Sequence, residues 1–249
     1  MAAFNTQGIV LKSIKYNDND LILTIFTRLY GRVSAIARGA QKQKSRLLPA
    51  SQIFSYNNYT LSKQKSLFTI YQSESIKSFF NISMDFESFS YASFIMKLVE
   101  LNVDEGQPNN ELFELLVQTL FLYSEGYEEK LYLLDIFLIK FIGAMGYRPQ
   151  VSRCVSCGST GYDYAVFSIE DGGIVCNKCA ENEKFYIKID QTTISLMQYL
   201  QNNDIIVCTK ADVSKILVNE LFFLLKKYLV NYFEKVDFKS LDMLNNMRI

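Results

Sequence analysis

Up to about residue 72, apolar positions alternate with polar ones at the period of a strand. GIVLKSIKY (residues 8–16) and DLILTIFTR (residues 20–28) are rich in β-branched and aromatic residues and flank the polar turn Asn17, Asp18, Asn19. A turn at Leu29, Tyr30 and Gly31 leads into RVSAIARG (residues 32–39). QIFSYNNYTL (residues 52–61) and SLFTIYQ (residues 66–72) follow, joined by the turn SKQK at residues 62–65. Five short strands in so few residues predict a small closed barrel, and an OB-type barrel fits that size.

Beyond about residue 75 the period becomes helical. FESFSYASFIMKLVEL (residues 86–101) has a broad apolar face, and Asn110 is the expected N-cap of the next helix, ELFELLVQTLFLYSE. Residues 128–145 are apolar nearly all round, as a central bundle helix requires, and stop at Gly146 with Pro149 beyond. TTISLMQYLQN (residues 192–202) and residues 210–234 read as two further helices, and the last dozen residues as weakly ordered. The predicted class is therefore α+β and multidomain. Residues 1–80 form an OB-type nucleic-acid-binding barrel, and residues 81–249 a helical domain carrying an insertion at about 150–184.

That insertion carries the strongest local motif. Cys154 and Cys157 form one C-x-x-C, Cys176 and Cys179 a second, and eighteen residues separate them. Each pair sets two thiolates on one tight turn, and two such knuckles complete a tetrahedron, so the pattern predicts a four-cysteine zinc ribbon with one Zn²⁺ per chain. Four protein ligands leave no open position for water, which makes the zinc structural. Cys208 stands apart and reads as a buried, inert thiol. Five cysteines in all is an odd number, which argues against a secreted disulfide framework.

Charge adds a second feature. The chain is neutral overall, yet residues up to 80 hold eleven Lys and Arg against three Asp and Glu, while the remainder holds fifteen against twenty-three. A basic module joined to an acidic one suggests a polyanionic partner for the first. RGAQKQKSR (residues 38–46), between the third and fourth strands, packs four cations into nine residues with no acid. Arg38, Lys42, Lys44 and Arg46 share a parity, so an extended backbone would aim them one way as phosphate ligands. Lys12, Lys15, Arg28 and Arg32 are weaker candidates for the same phosphate contact, and Tyr16, Tyr30, Tyr56 and Tyr59 are nearby aromatics able to stack on bases.

Several chemistries are excluded. There is no histidine, hence no Ser–His or Cys–His nucleophile. GAQKQKS approaches a P-loop, but Gln43 occupies the position of its second Gly and one residue of spacing is missing. No N-terminal signal pattern is read, and the most apolar stretch, LYLLDIFLIKFIGAM, is too short to span a bilayer and is interrupted by Asp135 and Lys140. A cytoplasmic, non-enzymatic protein with no membrane partner is expected. The rival is a zinc-ribbon interaction scaffold without DNA activity of its own; a salt-dependent gel shift separates the two.

GIVLKSIKYNDNDLILTIFTRLYGRVSAIARGAQKQKSRL is similar to the N-terminal signature of the bacterial DNA repair protein RecO family, and the resemblance resumes at MGYRPQVSRCVSCG and DGGIVCNKC. It covers essentially the whole chain. The resemblance implies a recombination mediator that binds single- and double-stranded DNA and anneals complementary strands. It also implies a RecR-type partner protein, recognition of the acidic C-terminal tail of single-stranded-DNA-binding protein, and a place on the bacterial nucleoid.

Overall fold

The computed structural model describes residues 3–64, 67–180, 185–238 and 241. Of the expected features, Lys65 in the turn, Ser66 at the start of the fifth strand, residues 181–184 of the insertion and most of the weakly ordered C-terminus lie outside the described residues. The chain packs into two compact units, residues 1–128 with 237–249, and residues 129–236.

The first unit is built on a closed barrel of five strands: β1 (Ala3–Lys15), β2 (Leu21–Thr27), β3 (Gly31–Ala37), β4 (Ser55–Gln64) and β5 (Leu67–Ser78). Their order around the barrel is β1-β2-β3-β5-β4. All pairings are antiparallel except β3 with β5, which is parallel and, among the described residues, limited to Ala35↔Phe68 and Ile36↔Thr69. This is the expected OB-type architecture. Alternation sends Val10, Leu21, Leu23, Ile25, Val33, Ala35, Leu61, Phe68 and Ile70 inward, where they form one core with Tyr59. The hydrophobic pattern thus fixes the register, since a one-residue slip would turn this set outward.

The fourth strand starts three residues later than its composition suggests. Gln52 and Ile53 belong to a turn, and Phe54 takes a left-handed φ of 67°. For a bulky residue that conformation is strained. It is held by the burial of Phe54, whose ring meets Phe89 edge-on at 6.1 Å.

Two helices pack on the barrel, so the first unit extends past the boundary expected at residue 80. α1 (Phe86–Asn102) is capped by Asp85, whose side chain accepts from Ser88 N, and α2 (Asn110–Ser124) by Asn109, which accepts from Leu112 N. The second cap is one residue earlier than expected, because Asn110 already has helical geometry and Asn109 keeps the extended backbone a cap needs. Phe113 of α2 meets Phe26 and Tyr56 of the barrel at 5.6 and 6.0 Å. Gly31, at φ 61°, lets the α1–α2 loop approach the β2–β3 hairpin: a Cβ there would lie 2.1 Å from Gln107 O.

The second unit holds α3 (Lys130–Ala144), α4 (Gln191–Asn202), the short α5 (Ile205–Cys208) and α6 (Lys215–Tyr232). α3 is buried along most of its length, as its all-round apolar character requires. α6 begins five residues inside the stretch expected to be helical, because Ser214 caps it by accepting from Leu217 N. Between α3 and α4 lies the ribbon, a three-stranded sheet of β6 (Ala165–Ser168), β7 (Gly173–Cys176) and β8 (Ile187–Lys188) in the order β7-β6-β8. Gln150 anchors it to the chain leaving α3, through Gln150 N to Gly172 O and Ile174 N to Gln150 O, both 2.9 Å. Among the described residues no helix is long and apolar enough to cross a membrane.

Candidate nucleic-acid interface and metal centre

The basic segment connects β3 to β4 and is not extended. Successive turns close through Lys42 N to Gly39 O (3.2 Å), Ser45 N to Lys42 O (2.9 Å) and Ser51 N to Leu48 O (3.2 Å). The shared parity of Lys42, Lys44 and Arg46 therefore does not set their directions. Buried Ala40 and Ala50, with partly buried Leu47, tie the loop to the barrel core and leave Arg38, Lys42, Lys44 and Arg46 exposed. None of the four forms an ion pair among the described residues.

What holds the start of the loop is the β1–β2 turn. Asp20 Oδ1 accepts from Gly39 N at 2.7 Å, Asp20 O from Gln41 Nε2 at 3.2 Å, and Asn19 O from Gln41 N at 3.0 Å. Asn17 Nδ2 donates to the other carboxylate oxygen at 3.3 Å. The Gly39 amide, then Asn17, with Arg38 and Lys42 adding their field, hold the Asp20 carboxyl below its ordinary value despite the opposing effect of desolvation. Asn17–Asp20, Arg38, Gly39 and Lys42 line one shallow cleft. Lys44 and Arg46 lie outside it, further along the loop.

The four weaker candidates divide. Lys12 Nζ stands 3.5 Å from Glu100 Oε1 of α1. Arg28 meets Glu114 of α2 at 2.7 Å and donates to Gln7 Oε1 at 3.2 Å. Arg32 Nε donates to Val103 O at 2.9 Å. These three link the barrel to its helices, whereas Lys15 is exposed with no ion pair among the described residues. The aromatics divide as well. Tyr59 is core, its hydroxyl donating to Ala50 O and its phenol pushed up by burial. Tyr56 lies parallel to Phe79, and Tyr30 lies 4.1 Å from Phe4. Tyr16 is 56% exposed and has no ring partner among the described residues. Sequence reasoning passed over two features here. Asp20 is one of only two acids before Glu74, both in this turn, which was a visible signal. Tyr71 is outward-facing and 59% exposed, as its alternation with Ile70 would have shown.

In the ribbon, the two C-x-x-C turns bring all four Sγ atoms within 4.8 Å of one another. Gly158, at φ 75°, closes the first knuckle through Gly158 N to Cys154 O, and Ala180 N to Cys176 O closes the second. A tetrahedral metal–thiolate centre with bonds of about 2.3 Å spaces its sulfurs by about 3.8 Å. Cys157 Sγ and Cys176 Sγ stand 3.8 Å apart, and no cysteine is disulfide-bonded, so the cluster fits a metal ion. Burial opposes ionisation of Cys154, but the amides of Cys176, Cys157 and Ser156 outweigh it and bring the thiol down to about 6. Hydrogen bonding with Cys157 first, then Cys176, pushes Cys179 up to about 12. A bare cluster thus resists full ionisation, and a cation is what would hold four thiolates together. Cys208 is buried, with its thiol pushed up by desolvation, as expected of an inert residue.

Residues 1–79 match the family model described as Recombination protein O N terminal, and residues 83–242 match Recombination protein O C terminal. The chain is 38% identical to the DNA repair protein RecO of Alkaliphilus metalliredigens over 96% of its length and 97% of that protein. It is 32% identical to DNA repair protein RecO of Acetivibrio thermocellus, covering 99% of this chain and 98% of the relative. The same protein of Clostridium acetobutylicum is 31% identical, with 98% of both chains covered. Barrel, cysteine cluster and these full-length matches agree: the chain belongs to the RecO family of DNA repair proteins.

Proposed function

We propose that the protein is a non-enzymatic recombination mediator. It binds single- and double-stranded DNA, anneals complementary strands and helps load a recombinase onto single strands coated by single-stranded-DNA-binding protein. A RecR-type protein and the acidic tail of single-stranded-DNA-binding protein are its partners, in the cytoplasm at the nucleoid. The supporting observation is the loop of Arg38, Lys42, Lys44 and Arg46, exposed, in no ion pair among the described residues and pinned to the barrel by Asp20. Lys15 joins these four, while Lys12, Arg28 and Arg32 contribute less because carboxylate or carbonyl partners already engage them.

The mechanism is electrostatic. Two complementary strands repel through their phosphates. Cations that neutralise the backbones and leave base edges free lower that repulsion and let pairing proceed. No bond is made or broken, so no nucleotide hydrolysis is needed. The four cysteines hold one structural Zn²⁺, which ties the two knuckles into a rigid ribbon.

Binding of a single-stranded oligonucleotide should weaken with salt at a log–log slope of about −3, from roughly −0.7 for each of four phosphate contacts. Replacing Arg38, Lys42, Lys44 and Arg46 together by Ala should flatten the slope and weaken binding to every sequence alike, as read by fluorescence anisotropy. Full-strength binding by that variant would remove the loop from the site. Failure of the unaltered protein to retain DNA at low salt would sink the whole reading.

A further inference from the structure

We propose that the groove between the β1–β2 turn and the β3–β5 junction is a subsite for one unstacked nucleobase of single-stranded DNA, with the Tyr16 ring as its platform. The inference rests on the DNA-binding reading above and adds that bases, not phosphates alone, are held.

The barrel leaves this groove open for a topological reason. Among the described residues β3 and β5 pair only at Ala35↔Phe68 and Ile36↔Thr69, and the groove, of about 430 Å³, lies beside Ile36 and Thr69. Its apolar surface comes from Ile36, Leu67 and the ring of Tyr16. Its polar groups are Thr69 and Asn17, with Arg38 and Asp20. Asp20 is committed to Gly39 and Asn17, and Arg38, in no ion pair among the described residues, is the cation lining the groove.

These parts match one chemistry. An exposed aromatic platform beside a cation is how non-specific single-strand binders take a base: the ring stacks on its face while the cation meets the adjacent phosphate. Stacking is sequence-tolerant because every base has a π-face, and Thr69 and Asn17 are short hydrogen-bonding groups that do not impose one base edge. In a duplex both faces of each base are covered by neighbours, so the platform is reached only by a base that has left the stack. The subsite thus favours single strands, while the loop cations serve both forms. Lys42, Lys44 and Arg46 continue the positive path along the same connection, which suits a polyanion and not an isolated nucleotide.

The chain contains no tryptophan, so Tyr16→Trp introduces a single indole, which can be excited at the red edge where tyrosine does not absorb. Titrating that full-length variant with a single-stranded oligonucleotide should quench its emission in step with binding, whereas a duplex of the same length should leave it unchanged. Tyr16→Ala should lose about tenfold in single-strand affinity, the effect of one stacked base, with duplex affinity and salt slope preserved. Tyr16→Phe should bind as the unaltered protein does. If the unaltered protein binds DNA but Tyr16→Ala binds single strands equally well, or loses both forms equally, the base subsite is overturned while the electrostatic site stands. If the unaltered protein binds no DNA, it is the underlying function that fails.

Discussion

Asp20 is a carboxylate set among the cations proposed to hold DNA. On charge alone, its removal should tighten binding by relieving repulsion. The geometry argues the reverse, because its carboxylate takes the Gly39 N–H at the start of the basic loop. Asp20→Ala should therefore weaken single-strand binding several-fold in anisotropy titrations, and Asp20→Asn, which keeps an acceptor oxygen, should fall between. Tighter binding by Asp20→Ala would show the charge to matter more than the anchor. Because the folded carboxyl titrates below its ordinary 3.8, the anchor is fully present above that value and is lost only as pH falls through the lower folded one. Asp135 shows the opposite case. It is fully buried in α3, neither carboxyl oxygen has a hydrogen-bond partner among the described residues, and burial holds its pKa well above 3.8. The folded chain keeps its proton while the unfolded chain releases it above about pH 4, so stability falls as pH rises toward the folded value. Asp135→Leu should stabilise the protein near neutral pH by about 1–3 kcal/mol, the penalty of an unsatisfied buried group, and by less at pH 4. Denaturant titrations at the two pH values would check this, and equal gains at both would contradict it.

Among the elements, what depends on local pattern was legible and what depends on distant partners was not. Alternation in LILTIFT places Leu21, Leu23 and Ile25 inward without reference to any other segment, and the two C-x-x-C pairs declare their own turns. The parity of Lys42, Lys44 and Arg46 failed because that loop closes on itself in turns, which no alternation encodes. Lys12, Arg28 and Arg32 looked like free cations because their partners Glu100, Glu114 and Val103 lie far along the chain, in or just after the helices that pack on the barrel. Phe54 in a left-handed conformation was equally hidden, since only burial of its ring explains it. The ribbon is the element whose stability hangs most on one feature. Its strands are only four, four and two residues long, below the roughly five or six ordinary for a strand, so hydrogen bonding within the sheet contributes little. The purified protein should contain about one zinc per chain, from four thiolates to one tetrahedral ion. Cys154→Ser should release it and raise hydrogen exchange across residues 150–180. Retention of the metal in that variant would overturn the ligand set.

At the scale of the whole molecule, the charge balance suits the proposed annealing. A uniformly basic protein would hold both strands tightly and condense them with equal indifference to sequence. Here the first 80 residues carry a surplus of eight positive charges, and an equal negative surplus on the remainder makes the chain neutral. The positive surplus is thereby concentrated in the stretch of chain that forms the barrel, where the proposed phosphate contacts lie. Neutralising Arg38, Lys42, Lys44 and Arg46 would cut the local surplus from eight to four. Annealing of two complementary oligonucleotides, followed by the quenching of paired dyes, should accelerate with the unaltered protein and require no ATP. The acceleration should fade with added salt over the same range in which binding fades, since both depend on the same displaced counterions. The fourfold variant should lose most of it even at low salt. If that variant binds less DNA yet anneals at the unaltered rate, screening of phosphates by this loop is not what brings the strands together.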